Sequence, residues 1–193
     1  MNSENSSNLS GKFLLAMPGM GDPRFHKAVI LVCAHNDDGA MGLVINHVMP
    51  GIDLEALLKQ LNITIPEGEY TSPSGVAVMS GGPVENVRGF IVHTTEFHQQ
   101  DTVPINDRIS VTGTVDALRA VAAGNGPQQM IFVLGYAGWG PGQLDQELHD
   151  NVWLVFDATP EIIFDTEPDQ KWDAVIRSMG IDPNMLSNAS GRA

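Results

Sequence analysis

The sequence has a single cysteine, no long apolar run and few basic residues. The lone thiol of Cys33 excludes an intrachain disulfide. No apolar run approaches the roughly 20 residues that a membrane-spanning helix needs, and the polar N-terminus lacks the basic-then-apolar order of a signal peptide. These absences predict a soluble cytoplasmic protein that has no membrane partner.

Basic residues are scarce beside acidic ones, since 10 Lys and Arg face 23 Asp and Glu and the net charge is −13. The excess is uneven, because residues 143–173 contain nine acids and one lysine. A surface this negative repels the phosphate backbone, which supplies most non-specific affinity for nucleic acids. The composition therefore disfavours direct binding of DNA or RNA.

Short apolar and β-branched runs predict a strand-rich domain. They lie at residues 12–17, 28–34, 40–46, 76–80, 88–94, 108–112, 129–134, 152–157 and 162–164. Residues 36–39 end in Asp-Gly and predict a tight hairpin. Because strict β-α-β alternation is missing, we predict an α+β fold with a mainly antiparallel, barrel-like curved sheet and about four helices packed outside.

Four amphipathic segments predict those helices. They are residues 54–61, 115–123, 142–149 and a last helix that begins near Pro168 and ends at Gly180. We expect a disordered lead at 1–10, a single domain at 11–182 and a loose tail at 183–193. A Pro/Gly/Ser-rich stretch, 64–75, predicts a long exposed loop.

The densest glycine run is 135–142, where four glycines, one proline and two aromatics occupy eight residues. Two further glycine corners lie at 19–23 and 81–83, and neither 19–23 nor 135–142 has the spacing of a nucleotide-binding loop. Two interpretations stay open: packed structural corners, or a ligand or partner surface formed where the corners converge. The second interpretation assigns binding to Gly82, Arg88, Tyr136, Gly138, Trp139 and Gln143.

Chemistry-bearing motifs are sparse. Cys33 and His35 are weak catalytic candidates, because residues two apart on a strand share a face and a nearby imidazolium stabilises a thiolate. The alternative is an inert core cysteine. No zinc-ligand spacing and no Gly-x-Ser-x-Gly elbow occurs. The sequence therefore predicts no metal and no cofactor, and it favours a binding protein over a small-molecule enzyme or redox sensor that uses Cys33 with His35.

Several ordered blocks carry a family resemblance. They are FLLAMP at 13–18, DPRF at 22–25, GAMGLVIN at 39–46, GGPV at 81–84, RGF at 88–90 and GYAGW at 135–139. Together they resemble the AlgH/YqgE family of bacterial proteins over roughly residues 11–182. One departure is Cys33-Ala34-His35, where the family often reads Cys-Glu-His. That departure puts in doubt any mechanism that needs the carboxylate.

The resemblance implies a cytoplasmic protein with a mixed α/β fold that contains an antiparallel barrel-like sheet. It also implies a transcriptional regulator, from a role proposed for the family in controlling alginate synthesis. No catalytic residue, cofactor or ligand carries over. Given the charge, we expect indirect regulation through an unidentified protein or small-molecule partner, by a monomer or weak homo-oligomer.

Overall fold

The computed structural model describes residues 8–67 and 76–187. Within these ranges the chain forms ten strands, six α-helices and two single-turn 3-10 helices. The strands are β1 (Lys12–Ala16), β2 (Val29–Asn36), β3 (Gly39–Val44), β4 (Val48–Asp53), β5 (Ala77–Ser80), β6 (Val84–Thr94), β7 (Val103–Pro104), β8 (Ile109–Thr112), β9 (Met130–Trp139) and β10 (Trp153–Asp157). The α-helices are α1 (Leu54–Gln60), α2 (Val115–Ala122), α3 (Gln143–His149), α4 (Pro160–Phe164), α5 (Lys171–Ser178) and α6 (Pro183–Ser187).

One sheet organises the molecule, in the order β10-β1-β2-β3-β9-β6-β8-β7, with β5 also pairing β9 and β4 pairing β5. Every pair is antiparallel except β5 with β9. Trp139 on β9 contacts Trp153 on β10 although three strands separate them, so this part of the sheet is strongly curled. The predicted α+β fold with a barrel-like antiparallel sheet is confirmed.

Three apolar clusters fill the faces of the sheet. The largest packs α4 and α5 against β1, β2, β3 and β6. A second lies under α3, which seats Leu144 inside the curled part of the sheet. The third holds α1 and α2 against β5, β6 and β9. None of the helices in the described ranges has both the length and the apolar character needed to cross a bilayer.

All four predicted helices are confirmed, as is the hairpin at 36–39, where Asn36 pairs with Gly39. Two of the helices begin as their sequences predict. Asp53 caps α1 by accepting from the Ala56 N–H at 2.8 Å, and Thr114 caps α2 in the same way.

Two expectations about strands were wrong. Residues 162–164 belong to α4, because Pro160 suits the first turn of a helix and only Ile163 among them is fully buried. Residues 135–139 continue strand β9, so the corner of the glycine run is limited to 140–142. The sequence also missed β4, which contains Pro50 and Gly51, and the two-residue β7.

The ends of the chain differ from expectation where they are described. Leu9, within the expected disordered lead, is buried, and its N–H donates to His35 Nδ1 at 3.3 Å. Residues 183–187 of the expected loose tail form α6. The rest of both segments, at 1–7 and 188–193, and residues 68–75 of the predicted loop lie outside the described residues.

Candidate functional site

A cleft of about 380 Å³ opens where the loop after β1, the turn after β5 and the end of β9 meet. We call it the tryptophan cleft. Its walls come from residues 20–22, 24–25, 83, 137–139, 143, 147 and 152–153. All three glycine-rich corners of the sequence contribute to it, so the fold brings together segments that are far apart along the chain.

Aromatic rings form the back wall of the tryptophan cleft. Trp139 and Trp153 meet edge to face, with ring centroids 6.1 Å apart and planes at 78°. Phe25 meets Trp153 in the same way at 5.8 Å and 79°. Edge-to-face contacts add to the energy of burying the rings, so these contacts stabilise the wall.

Glu147 ties that wall to helix α3. One carboxylate oxygen, Oε2, accepts from Trp139 Nε1 at 2.9 Å and from Trp153 Nε1 at 2.7 Å. The other, Oε1, accepts from Gln143 Nε2 at 2.9 Å, and Gln143 Oε1 in turn accepts from the Gly140 N–H. The indole N–H groups are thus hydrogen-bonded to the carboxylate of a residue that itself lines the cleft.

The glycines at 81, 82 and 135 allow two chain segments to cross closely. A Cβ on Gly82 would clash with backbone atoms of Tyr136, and one on Gly81 would clash with the Gly135 carbonyl. Gly135 has φ +76°, where a side chain is strained. These glycines serve packing, which favours the structural interpretation at this crossing.

The rim of the cleft carries an exposed ion pair. Arg24 donates to the Asp22 carboxylate through Nη2 at 2.7 Å and through Nε at 3.0 Å. These hydrogen bonds hold the pKa of the Asp22 carboxyl below its usual range. A smaller hollow beside the cleft is lined by His47, Ser80 and Gly82. Burial lowers the pKa of His47, whose Nε2 lies 3.0 Å from the His26 carbonyl oxygen.

The structure brings only part of the predicted binding set together. Gly138, Trp139 and Gln143 line the tryptophan cleft, and Gly82 lines the adjoining hollow. Arg88 and Tyr136 line neither of them.

Arg88 on β6 and Tyr136 on β9 belong to a separate cluster. Arg88 pairs with Glu85 at 3.2 Å and lies over the Phe90 ring. A hydrogen bond with Glu85 raises the pKa of Tyr136, whose ring meets Phe90 edge to face. Arg88 is therefore already engaged by one of the chain's many acids.

Sequence reasoning missed Met20, Phe25, Glu147 and Trp153 as lining residues. Only Glu147 had a local signal, since it stands four residues after Gln143 on one helix and so shares its face. The other three come from connections or strands whose approach is set by the curl of the sheet.

The expectation that Cys33 and His35 share a face was wrong. A β-bulge between Val32 and Ala34 inserts an extra residue at Cys33, which reverses the alternation beyond it. Cys33 packs against the largest core cluster, and burial raises the pKa of its thiol to about 12. His35 is instead bonded to Leu9 and lies 3.7 Å from Asp145 of α3.

This geometry does not form a thiol–imidazole pair. A thiol with a pKa of about 12 stays protonated at neutral pH, and the thiolate is the reactive form. Within the described ranges, no group of three or more His, Cys, Asp or Glu side chains is placed to hold a metal ion.

The fold and the cleft together define a class: an α+β protein whose curled sheet presents an aromatic cleft at the junction of three glycine-containing segments. The chain belongs to the AlgH-like family, whose model matches residues 13–184. The predicted family is thereby confirmed.

Relatives match over nearly the whole chain. A UPF0301 protein of Rhizorhabdus wittichii is 47% identical over 191 residues, which cover 97% of this chain and 98% of the relative. A UPF0301 protein of Paracoccus denitrificans is 48% identical over 193 residues, with 98% and 100% covered.

The solution structure of the AlgH protein from Pseudomonas aeruginosa is also similar, with a TM-score of 0.77, 36% identity and complete coverage of both chains. A crystal structure from Corynebacterium diphtheriae, 22% identical with a TM-score of 0.71 over 95% of this chain and 92% of that one, shares the fold.

Proposed function

We propose that this chain is a non-enzymatic, cytoplasmic binding protein that acts in regulation by holding a small molecule or a segment of another protein in the tryptophan cleft. The observation that supports it is the convergence of three glycine-containing segments on one aromatic-walled cleft of about 380 Å³. Ligand sites in proteins are typically concave and apolar, with a few fixed polar groups.

The regulatory part of the proposal rests on the family and on charge. A net charge of −13 opposes contact with the phosphate backbone, so the proposed regulation is indirect. The residues proposed to contact the ligand are Gly138, Trp139 and Gln143, with Gly82 at the adjoining hollow. We propose no cofactor and no metal for this activity.

The experiment is a thermal-shift screen of metabolites on the full chain, paired with a pull-down from cell extract. Gln143→Ala is the test variant, because Gln143 lines the cleft. Gln146→Ala is the matched control, since Gln146 lies on the same helix, its side chain donates to Asp150, and it does not line the cleft.

We expect a compound or partner that binds the native chain and the Gln146→Ala variant but binds the Gln143→Ala variant at least about tenfold more weakly. Quenching of Trp139 and Trp153 fluorescence should accompany binding. Equal affinity for both variants would place the binding elsewhere and end the cleft proposal. Alkylation of Cys33 in the native protein would instead favour the thiol chemistry that the geometry opposes.

A further inference from the structure

The sheet ends in three strands, β4, β7 and β10, which are built differently; β4 contains Pro50, and its register against β5 shifts. Strand β7 is two residues long and contains Pro104, which has no N–H to offer another strand. Strand β10 is instead a regular five-residue strand without proline or bulge, and all five residues pair in register with β1. Proteins ordinarily protect sheet edges with short strands, proline or inward charges, and β10 has none of these.

The hydrogen bonds that flank β10 fix which of its backbone groups face β1. Ala158 N–H donates to the Gly11 carbonyl, and Met17 N–H donates to the Val152 carbonyl, both at 3.1 Å. In an antiparallel ladder, hydrogen-bonded pairs occur at every second residue. The even-numbered residues of this segment therefore direct their backbone groups toward β1.

It follows that Trp153, Val155 and Asp157 direct their N–H and C=O groups away from the sheet. Among the described residues, none of these groups has a backbone or side-chain hydrogen-bond partner. Val155, at the centre, is 36% exposed. The outer edge of β10 is thus an open ladder of donors and acceptors, set beside the half-buried side chains of Leu154 and Phe156.

Charge decides what kind of strand fits this edge. The segment 143–173, which contains β10, carries nine acids, and its one lysine, Lys171, is 1% exposed. The segment that contains β10 therefore carries a net negative charge, although Asp157 on β10 itself pairs with Lys12 of β1. A second copy of this chain would bring another −13 to the contact, whereas a basic segment would be attracted.

We propose that the outer edge of β10 is a docking site where an extended, basic segment of another protein adds as a further strand. Main-chain hydrogen bonds to Trp153, Val155 and Asp157 hold the added strand, and its alternate side chains lie beside Val155 on one face and beside Leu154 and Phe156 on the other. The edge and the tryptophan cleft share Trp153, but Val155 and Asp157 do not line the cleft, so the proposal does not depend on the function proposed for the cleft.

The test uses the full chain and a short synthetic peptide of alternating valine and lysine. A second peptide has glutamate in place of each lysine. We expect the lysine peptide to shift the amide resonances of Trp153, Val155 and Asp157 and to slow their hydrogen exchange. The glutamate peptide should bind at least about tenfold more weakly.

Val155→Pro tests the ladder itself. The Val155 N–H faces outward, so proline at this edge position removes a docking donor without removing a bond to β1. Binding of the lysine peptide should weaken at least about tenfold, while Val155→Thr, which keeps the N–H, should bind within about twofold of the native chain. Val155→Lys leaves the backbone intact and should weaken binding because its charge repels the lysine peptide. This variant keeps the test valid if the proline variant does not fold.

Three outcomes would overturn the proposal. Unchanged binding to both the Val155→Pro and Val155→Lys variants would show that the edge is not used. Equal affinity for the two peptides would show that the edge does not prefer a basic segment. If sedimentation shows that the native chain is a dimer and that the Val155→Pro variant is a monomer, the edge is occupied by a second copy of this chain.

Discussion

Two glycine corners that look alike in the sequence do different work in the fold. At 81–82 the chain crosses 135–136 so closely that any side chain would collide with backbone. At Gly19 and Gly21, a Cβ would meet nothing within 4 Å. Both corners border the tryptophan cleft or its adjoining hollow.

The two corners therefore form two different walls of the cleft, one closely packed and one open. The crossing at 81–82 and 135 joins β5, β6 and β9, and Gly81 also accepts from the Val44 N–H at 2.9 Å. The loop at 19–24 is held partly by local contacts, such as Asp22 with Arg24, and Phe25, which follows it, packs on Trp153. We infer that the cleft has one rigid wall and one wall able to adapt.

The largest expected effect is that of Gly82→Ala. Gly82 has φ +148°, and an added Cβ would collide with the Tyr136 backbone. We expect the free energy of unfolding to fall by at least about 3 kcal/mol, from strain and steric overlap together. Urea unfolding measures it. Gly21→Ala is the control and should change stability by less than about 0.5 kcal/mol; similar losses in both variants would abolish the distinction between the corners.

The second prediction concerns how the buried amine of Lys171 makes the stability of the protein depend on pH. Its Nζ donates to the carbonyls of Ile45 and Ile163 at 3.0 and 2.8 Å, and burial lowers its pKa to about 8. An unfolded lysine titrates near pH 10.4, so between these values the unfolded chain binds more protons than the folded one.

Stability should therefore rise as pH increases from about 8 to 10, by up to about 3 kcal/mol for this group. The measurement is urea unfolding at several pH values, with the Lys171→Met variant as reference. The native chain should gain stability relative to the variant across this window. Parallel pH profiles for the two proteins would mean that burial does not lower the pKa of Lys171.

Glu147→Gln probes the contact between the aromatic wall and α3. The substitution keeps the shape but removes the charge that accepts three hydrogen bonds, two of them from indoles. We expect a loss of about 1–2 kcal/mol of stability and altered tryptophan fluorescence. Gln146→Ala, on the exposed side of α3, should leave both unchanged; a similar loss there would point to a general weakness of the helix.

The smallest effect is expected at the open loop. Asp22→Ala removes the contacts to Arg24, whose side chain is 64% exposed. Exposed ion pairs contribute little to stability, so the unfolding midpoint should not change measurably. Hydrogen exchange of the Arg24 amide should nevertheless become faster. A clear drop in the midpoint would show that this loop is coupled to the core.

Much of the fold was predictable because its signals are local. Caps such as Asp53, the Asp-Gly hairpin and the apolar stripe of α5 each act within a few residues. The strand at 135–139 was missed because glycine is rare inside strands. Here it is required by the approach of 81–82, a segment far away along the chain.

The candidate site was predictable only in part. Trp139 and Gln143 stood out by composition, and both line the cleft. The pairing of Cys33 with His35 failed because a β-bulge, which no local pattern announced, turned the two side chains to different neighbours.

The sequence by itself determined the family, the acidic composition, four of the six helices and most strands of the described residues, since these follow from composition, caps and short-range periodicity. Tertiary structure decided the rest: which glycines are locked, which residues form the tryptophan cleft and which sheet edge stays open. The physical reason is that these features depend on the curl and register of the sheet, which bring Phe25 to Trp153 and leave the outer groups of β10 without a hydrogen-bond partner among the described residues.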